Sequence, residues 1–310
     1  MAQESQNADL SGGNDAIAFP LTQAQASVLL HTELTASTQD DLASLWRTDT
    51  SAQPFTALIA DNQTAGRGRV GRPWYSATGR SVLISVLLAL PASLRDQIGW
   101  LTLIGGAAAR AAVETTTVAS SATVTTTERN NALISWPNDV VVMVAESDPG
   151  QESAQSETAK TPTPRKVAGI IGEYVGERDG QIFAVLGMGL NLSLTADELP
   201  TPTSASLLTA GLPVPSRDEV MAAWLAGLRS RIEAFTATNG NPETSGILGE
   251  LNSYCETLRP GVTVGRPRNT PIHGTGQAIL ADGSLQVLTD EGVVVVSSGE
   301  VSLLDTARHS

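Results

Sequence analysis

The chain has very little of several residue types that usually announce chemistry. Cys255 is its one cysteine among 310 residues, which rules out an intramolecular disulfide and a thiolate metal cluster. His31, His273 and His309 are far apart and lack ligand spacing, so a metal held by protein imidazoles is not expected. Cations are scarce: 19 Lys and Arg against 32 Asp and Glu leave a net charge of −13, where a nucleic-acid-binding protein needs a basic stripe. No run of about eighteen apolar residues occurs, which excludes a membrane-spanning helix. The polar stretch Met1 to Asn14 has no basic segment followed by an apolar one, so it is no signal peptide. The expectation is a soluble cytoplasmic protein without nucleic-acid or membrane partners. Its 41% hydrophobic content suffices for one large core and a small second domain.

Against that acidic background one segment stands out. Gly66-Arg67-Gly68-Arg69-Val70-Gly71-Arg72 packs three Gly and three Arg into seven residues, with Pro73 and Trp74 behind them. Glycines let backbone N–H groups close around an anion, guanidiniums hold phosphate or carboxylate in a bidentate fork, and an indole offers a flat face to a base. The spacing Gly66-x-Gly68-x-x-Gly71 also matches the dinucleotide fingerprint, which needs a strand before the glycines and a helix after them. The strand is there (Phe55 to Ala60). The helix is not, because Ser81 to Leu88 reads as another strand, and Asp96 is the first acid after the loop. The Walker pattern fails as well. A local positive island in an acidic chain suits a small anionic ligand better than a polyanion.

Periodicity and punctuation organise the rest. Residues 1–20 read as a disordered tail, Leu21 to His31 as a short helix, and Gln39 to Arg47 as a helix capped by the hydroxyls before it. Arg95 to Glu114 reads as a buried helix and Thr115 to Asn131 as a low-complexity connection. Strands are expected at Ala132–Trp136, Val140–Val144, Val167–Val175 and Ile182–Leu192, with a mobile insertion at about 146–164. A capping box, Ser216 to Glu219, opens a helix to Phe235, and a second helix runs from about Gly246 to Leu258. From Gly261 onward, short β runs punctuated by Asp282-Gly283 and Glu291-Gly292 indicate a small barrel that needs the main domain for stability. The fold class is α+β, divided into residues 21–258 and a β module over 259–310.

Two further segments accompany the loop. Ser135-Trp136-Pro137-Asn138-Asp139-Val140 sets an indole, an amide and a carboxylate on a turn between strands. Arg165-Lys166-Val167-Ala168-Gly169-Ile170 places a lysine at the start of an apolar strand. Each has a bland alternative as core, turn or solvated strand end. In this order, however, with Ser37-Thr38, Gln63 and Gly187-Met188-Gly189-Leu190-Asn191, they resemble the biotin protein ligases, over about Thr35 to Leu192 and more weakly in the C-terminal module. The type resembled lacks a DNA-binding domain.

The resemblance implies a mixed central sheet flanked by helices, as in class II synthetases, with an SH3-like C-terminal barrel. It implies biotin and ATP as substrates, Mg²⁺ as metal, and carrier domains of acyl-CoA and pyruvate carboxylases as partners of a monomer. Ser37, Thr38, Gln63, Gly66, Arg67, Lys166 and Gly169 would contact biotin; Arg69, Arg72, Trp74, Asn138, Asp139 and Asn191 would contact ATP or the adenylate. Lys166, Arg67 and Arg69 would be catalytic, and Asp139 would help hold the metal through the phosphates. One departure is Ser135, where the family usually has Lys. A lipoate or octanoyl transferase of the same fold class, and a non-catalytic regulator binding biotinyl-AMP or a nucleotide, are the alternatives.

Overall fold

The computed structural model describes residues 19–120, 132–145, 162–266, 269–297 and 299–301. A seven-stranded mixed sheet dominates, in the order β1-β2-β3-β7-β6-β5-β4. Its strands are β1 (Val28–Thr35), β2 (Thr56–Gln63), β3 (Ser81–Pro91), β4 (Ala132–Ser135), β5 (Asp139–Val144), β6 (Thr163–Arg178) and β7 (Gln181–Asn191). β1 and β2 run parallel, and every other neighbouring pair is antiparallel.

Both faces of the sheet's centre are covered, so β3 is an almost unbroken apolar run rather than an alternating one. One set of alternate residues (Val82, Ile84, Val86, Leu88 and Leu90) packs in the large core beneath α3 (Trp100–Ala119) and α4 (Arg217–Ala237). Leu87 turns the other way and joins Phe183 and Val185 under Leu42, Ala43 and Trp46 of α2 (Thr38–Thr48). On β7, Phe183 and Val185 are followed at the same alternation by Gly187, Gly189 and Asn191. Two rows therefore carry no side chain from the central strand. The sheet is left bare just where α2 begins, and that bare patch becomes the floor of the site.

The local expectations met several corrections. Only Pro20–Gln23 is helical (α1) in the segment expected to be a helix; Val28 onward is β1, in register with Thr56 to Gln63. A short apolar run does not distinguish helix from strand, and the parallel pairing decides it. α3 begins at Trp100, after a 3-10 turn at Ala92–Gln97, and continues to Ala119. Thr115, Thr116 and Thr117 lie within the helix, and their hydroxyls donate to the carbonyls of Ala111, Ala112 and Val113. β6 starts at Thr163, inside the stretch read as insertion, and residues 146–161 lie outside the described residues. So do residues 1–18, where the tail was expected, and 302–304 of the last β run. The capping box at Ser216 and Glu219 is present and opens α4.

Beyond α5 (Ile247–Tyr254), Cys255 to Thr257 lie beside β4, with Glu256 N–H donating to the Ile134 carbonyl at 2.9 Å. A second, antiparallel sheet follows, in the order β11-β10-β9-β8-β12. It comprises β8 (Val262–Arg266), β9 (Asn269–Ile279), β10 (Leu285–Thr289), β11 (Gly292–Val296) and β12 (Glu300–Val301). Its inner residues Val262, Val264, Ile279, Leu285 and Val287 merge with the main core, the support that so small a module needs. Among the described residues no helix is long and apolar enough to cross a membrane.

Candidate active site

A cavity of about 740 Å³ opens over the bare patch. Strand register builds its floor: Leu83, Gly189, Gly169 and Asp139 lie in one row, and Ser85, Gly187 and Ile171 in the next. The C-terminal sheet supplies part of the wall through Thr263, Gly265 and Pro271.

At one end the cavity is polar and uncharged. Ser37 is the N-cap of α2, its hydroxyl accepting from Asp40 N–H. Thr38 donates from its backbone N–H and its hydroxyl to Gln63 Oε1, at 2.8 and 3.0 Å, and its hydroxyl lies 2.8 Å from Ser85 Oγ. Gln39 is anchored on the Val185 carbonyl, and a Cβ on Gly187 would come within 2.7 Å of its Oε1. Ser85 and Gln39 were not foreseen as site residues. A lone serine inside the apolar run Val82 to Leu88 is the signal that would have found the first.

The glycine and arginine segment folds back on itself as a hairpin above the cavity. Gly68 N–H donates to the Arg72 carbonyl and Trp74 N–H to that of Gly66, around a 3-10 turn at Arg69–Gly71. Gly66 is required by close approach, since a Cβ there would sit 2.6 Å from the Trp74 carbonyl oxygen; Gly71 is required by its positive φ of 73°. Arg69 reaches inward and donates to Asn138 Oδ1 at 3.2 Å. Arg67 is ion-paired with Asp40 and 3.4 Å from Glu173, in the row beyond Ile171 on the same face of the sheet, so its guanidinium is held on the α2 side of the cavity. Arg72 borders the cavity, whereas Gly66 faces the opposite side of the hairpin.

Behind the hairpin the Trp74 indole lies flat over two glycines. A Cβ on Gly189 would come within 2.4 Å of its ring, and one on Gly169 within 3.2 Å. Lys166 Nζ stands 5.6 Å from the ring centroid and 2.8 Å from Asp139 Oδ1. A bulge on β6 between the partners of Val140 and Val141 redirects Lys166. Its backbone is fixed on both sides, by Thr203 and by Ala205. Asn138 donates to the Ile170 carbonyl while receiving Arg69, and Asn191 donates to the Ala205 carbonyl.

The turn carrying Asn138 and Asp139 is held from outside the sheet. Trp136 donates from its backbone N–H to Thr257 Oγ1 and from its indole to the Gly283 carbonyl, both at 3.0 Å. Ser135 donates to Glu256 at 2.7 Å, a buried carboxylate that also receives Arg259 at 2.9 Å. These anchors are more than a hundred residues away along the chain, and nothing in the local sequence announces them.

The site therefore joins a neutral hydroxyl and amide cluster, a cation beside a carboxylate, and a Gly/Arg roof within one cavity. A family model described as the biotin/lipoate A/B protein ligase family matches residues 32–191. The chain belongs to that family. The biotin protein ligase C-terminal domain model matches residues 261–304, the region of the second sheet. The chain is 30% identical over 244 residues to the biotin–[acetyl-CoA-carboxylase] ligase of Mycobacterium tuberculosis, covering 79% of this chain and 77% of that protein. It is 25% identical over 287 residues to the bifunctional ligase/repressor BirA of Bacillus subtilis, covering 91% and 76%. A biotin protein ligase from Aquifex aeolicus, solved with biotin and ATP, shares the fold with a TM-score of 0.61 at 23% identity, over 89% of this chain and 98% of that one. As a family member, the chain has every residue expected at the site on the cavity wall except Gly66.

Proposed function

We propose that this ligase-family chain is a biotin protein ligase that activates biotin with ATP and transfers it to a lysine of a biotin carboxyl carrier domain. The observation that carries the reading is the single cavity running from Thr38, Gln63 and Ser85 to the Lys166–Asp139 pair under the arginine hairpin. The hydroxyl and amide end suits a head group with both donors and acceptors, as the ureido ring of biotin has. A plain octanoyl tail would leave those polar groups unmatched.

The charges dictate the rest. A carboxylate does not acylate an amine, so its oxygen attacks the α-phosphate of ATP, giving biotinyl-AMP and expelling pyrophosphate. Both reactants are anions. Lys166, freed from Asp139, and Arg69, released from Asn138, would offset their repulsion and stabilise the charge that develops on the phosphate. The exposed face of the Trp74 indole would take the adenine by stacking. Asp139 is one carboxylate, and among the described residues no group of three or more metal-ligating side chains exists. That fits a Mg²⁺ held mainly by phosphate oxygens, which when bound would neutralise phosphate charge. The ε-amine of the carrier lysine then attacks the biotinyl carbonyl, forming the amide and releasing AMP. Carrier domains of acyl-CoA and pyruvate carboxylases are the proposed acceptors, and a monomer in the cytoplasm the proposed setting.

The test is incubation with ATP, Mg²⁺ and biotin, with and without a carrier domain, measuring pyrophosphate and biotinylated product. Product on the carrier lysine is expected. Pyrophosphate released with octanoate or lipoate but not with biotin would move the chain to the transferase alternative. No pyrophosphate with any acid would make it a binding protein.

A further inference from the structure

Arg67 joins a four-residue charge cluster on the α2 side of the hairpin. Its guanidinium meets Asp40, in the first turn of α2, and Glu173 of β6 at 3.4 Å, while Arg47 near the end of α2 lies 3.5 Å from the other Glu173 oxygen. The oxygen facing Arg67 is shielded from water and makes no hydrogen bond, so the cation beside it is what offsets its charge. The hairpin is thus gripped at two points, by Arg69 on Asn138 and by Arg67 on two carboxylates. Both arginines also border the cavity.

We propose that Asp40 and Glu173 are positioning residues that latch the hairpin down through Arg67, and so keep the acyl-adenylate in place until an amine acceptor arrives. The proposal deepens the ligase reading and rests on it. Arg67, Asp40 and Glu173 side chains are 45%, 51% and 29% exposed, and ion pairs this open add little to folding stability. A loop that opens and closes during each turnover is different, because its equilibrium is balanced closely enough for a small bias to change the open population. A mixed anhydride under an open roof meets water or diffuses away.

The experiment uses the full chain with Asp40→Asn and Glu173→Gln together, and measures pyrophosphate released per biotinylated carrier. Uncoupled pyrophosphate turnover without acceptor should rise about three- to tenfold, with single-turnover adenylate formation within about twofold of the parent and an unchanged melting temperature. Uncoupled turnover equal to the parent's would overturn the latch, as would the same rise from Glu198→Gln at the remote Arg80 pair. Should the parent form no adenylate, the ligase reading fails separately. Trypsin cleavage after Arg69 then decides on the latch, being faster in the double variant if it exists and unchanged if it does not.

Discussion

Gly189→Ala isolates what the Trp74 indole contributes. The new Cβ would sit 2.4 Å from ring atom Cε2 and 2.7 Å from Cζ2 and Nε1, where ordinary contact begins at 3.4 Å. The glycine lies near the end of β7 but is paired with Leu83 on one side and Gly169 on the other, so the backbone cannot retreat. The indole must lift by about an ångström or swing off the floor. Alanine is better tolerated than glycine within a strand by about 0.5–1 kcal/mol, which offsets the lost packing under the ring and should leave the melting temperature nearly unchanged. Stacking of a base on an aromatic ring contributes about 1–3 kcal/mol, so ATP should bind about 5- to 150-fold more weakly. Biotin binding at the Thr38 and Gln63 end should stay within about twofold. Calorimetry with each ligand separately reads both numbers, and the same pair of titrations in a Trp74→Ala background closes a double-mutant cycle. If Gly189→Ala weakens ATP equally in both backgrounds, the indole is not the mediator. Loss of biotin affinity to the same extent would mean that the whole cavity has collapsed.

Three further perturbations test other parts of the structure. Lys166→Ala should slow adenylate formation by several kcal/mol, of the order of 10²–10³ in rate, and an unchanged rate of pyrophosphate release would reject its role. Burial pushes the Cys255 thiol up to about 11, so at neutral pH it should resist alkylation by iodoacetamide until the protein unfolds; rapid labelling of the folded chain would contradict the packing against β4. Burial opposes ionisation of Asp61, but the bonds from Arg217 at 2.6 Å and His31 at 3.2 Å outweigh it and hold the carboxyl below its usual 3.8. Its stabilising contribution is therefore complete above that value and fades as the pH falls through the lowered one. Asp61→Asn should flatten the acid limb of urea midpoints measured below about pH 4, and a parallel limb would refute the assignment.

The parts of the site legible in the sequence were those where residue type alone constrains geometry. Gly66 and Gly71 stand where a Cβ or a positive φ forbids anything else, Trp74 needs the two bare glycines beneath it, and Lys166 sits at a strand start where a bulge redirects it. Lys166 and Asp139 meet across a long stretch of chain because loop length costs little. What was not legible depends on sequence-distant contacts. Val28 to Thr35 has an apolar texture that fits helix or strand, and only its partner β2 decides. The family resemblance implies Arg67 at the reacting groups, and in the structure it also pairs with two carboxylates, on α2 and β6. No local pattern contains that information.

Ser135 shows why the two sheets act as one machine. Ser135 brings no cation to Glu256, a carboxylate only 3% exposed that already receives Arg259. With serine, a hydroxyl hydrogen bond of 2.7 Å serves instead, and Glu256 keeps a single cation. Together with Trp136 on Thr257 and Gly283, it ties the turn bearing Asn138 and Asp139 to the start of the C-terminal module. Trp136→Phe replaces the indole, at a residue 2% exposed, by a smaller phenyl ring and removes its N–H, leaving the half-buried Gly283 carbonyl without that donor. The lost ring volume and hydrogen bond together should cost about 1–3 kcal/mol. That loss should appear as a lowered melting temperature together with weaker ATP binding, because Asp139 and Asn138 move with the turn. A drop in stability with ATP affinity unchanged would show that the C-terminal module merely caps the core and does not position the nucleotide site.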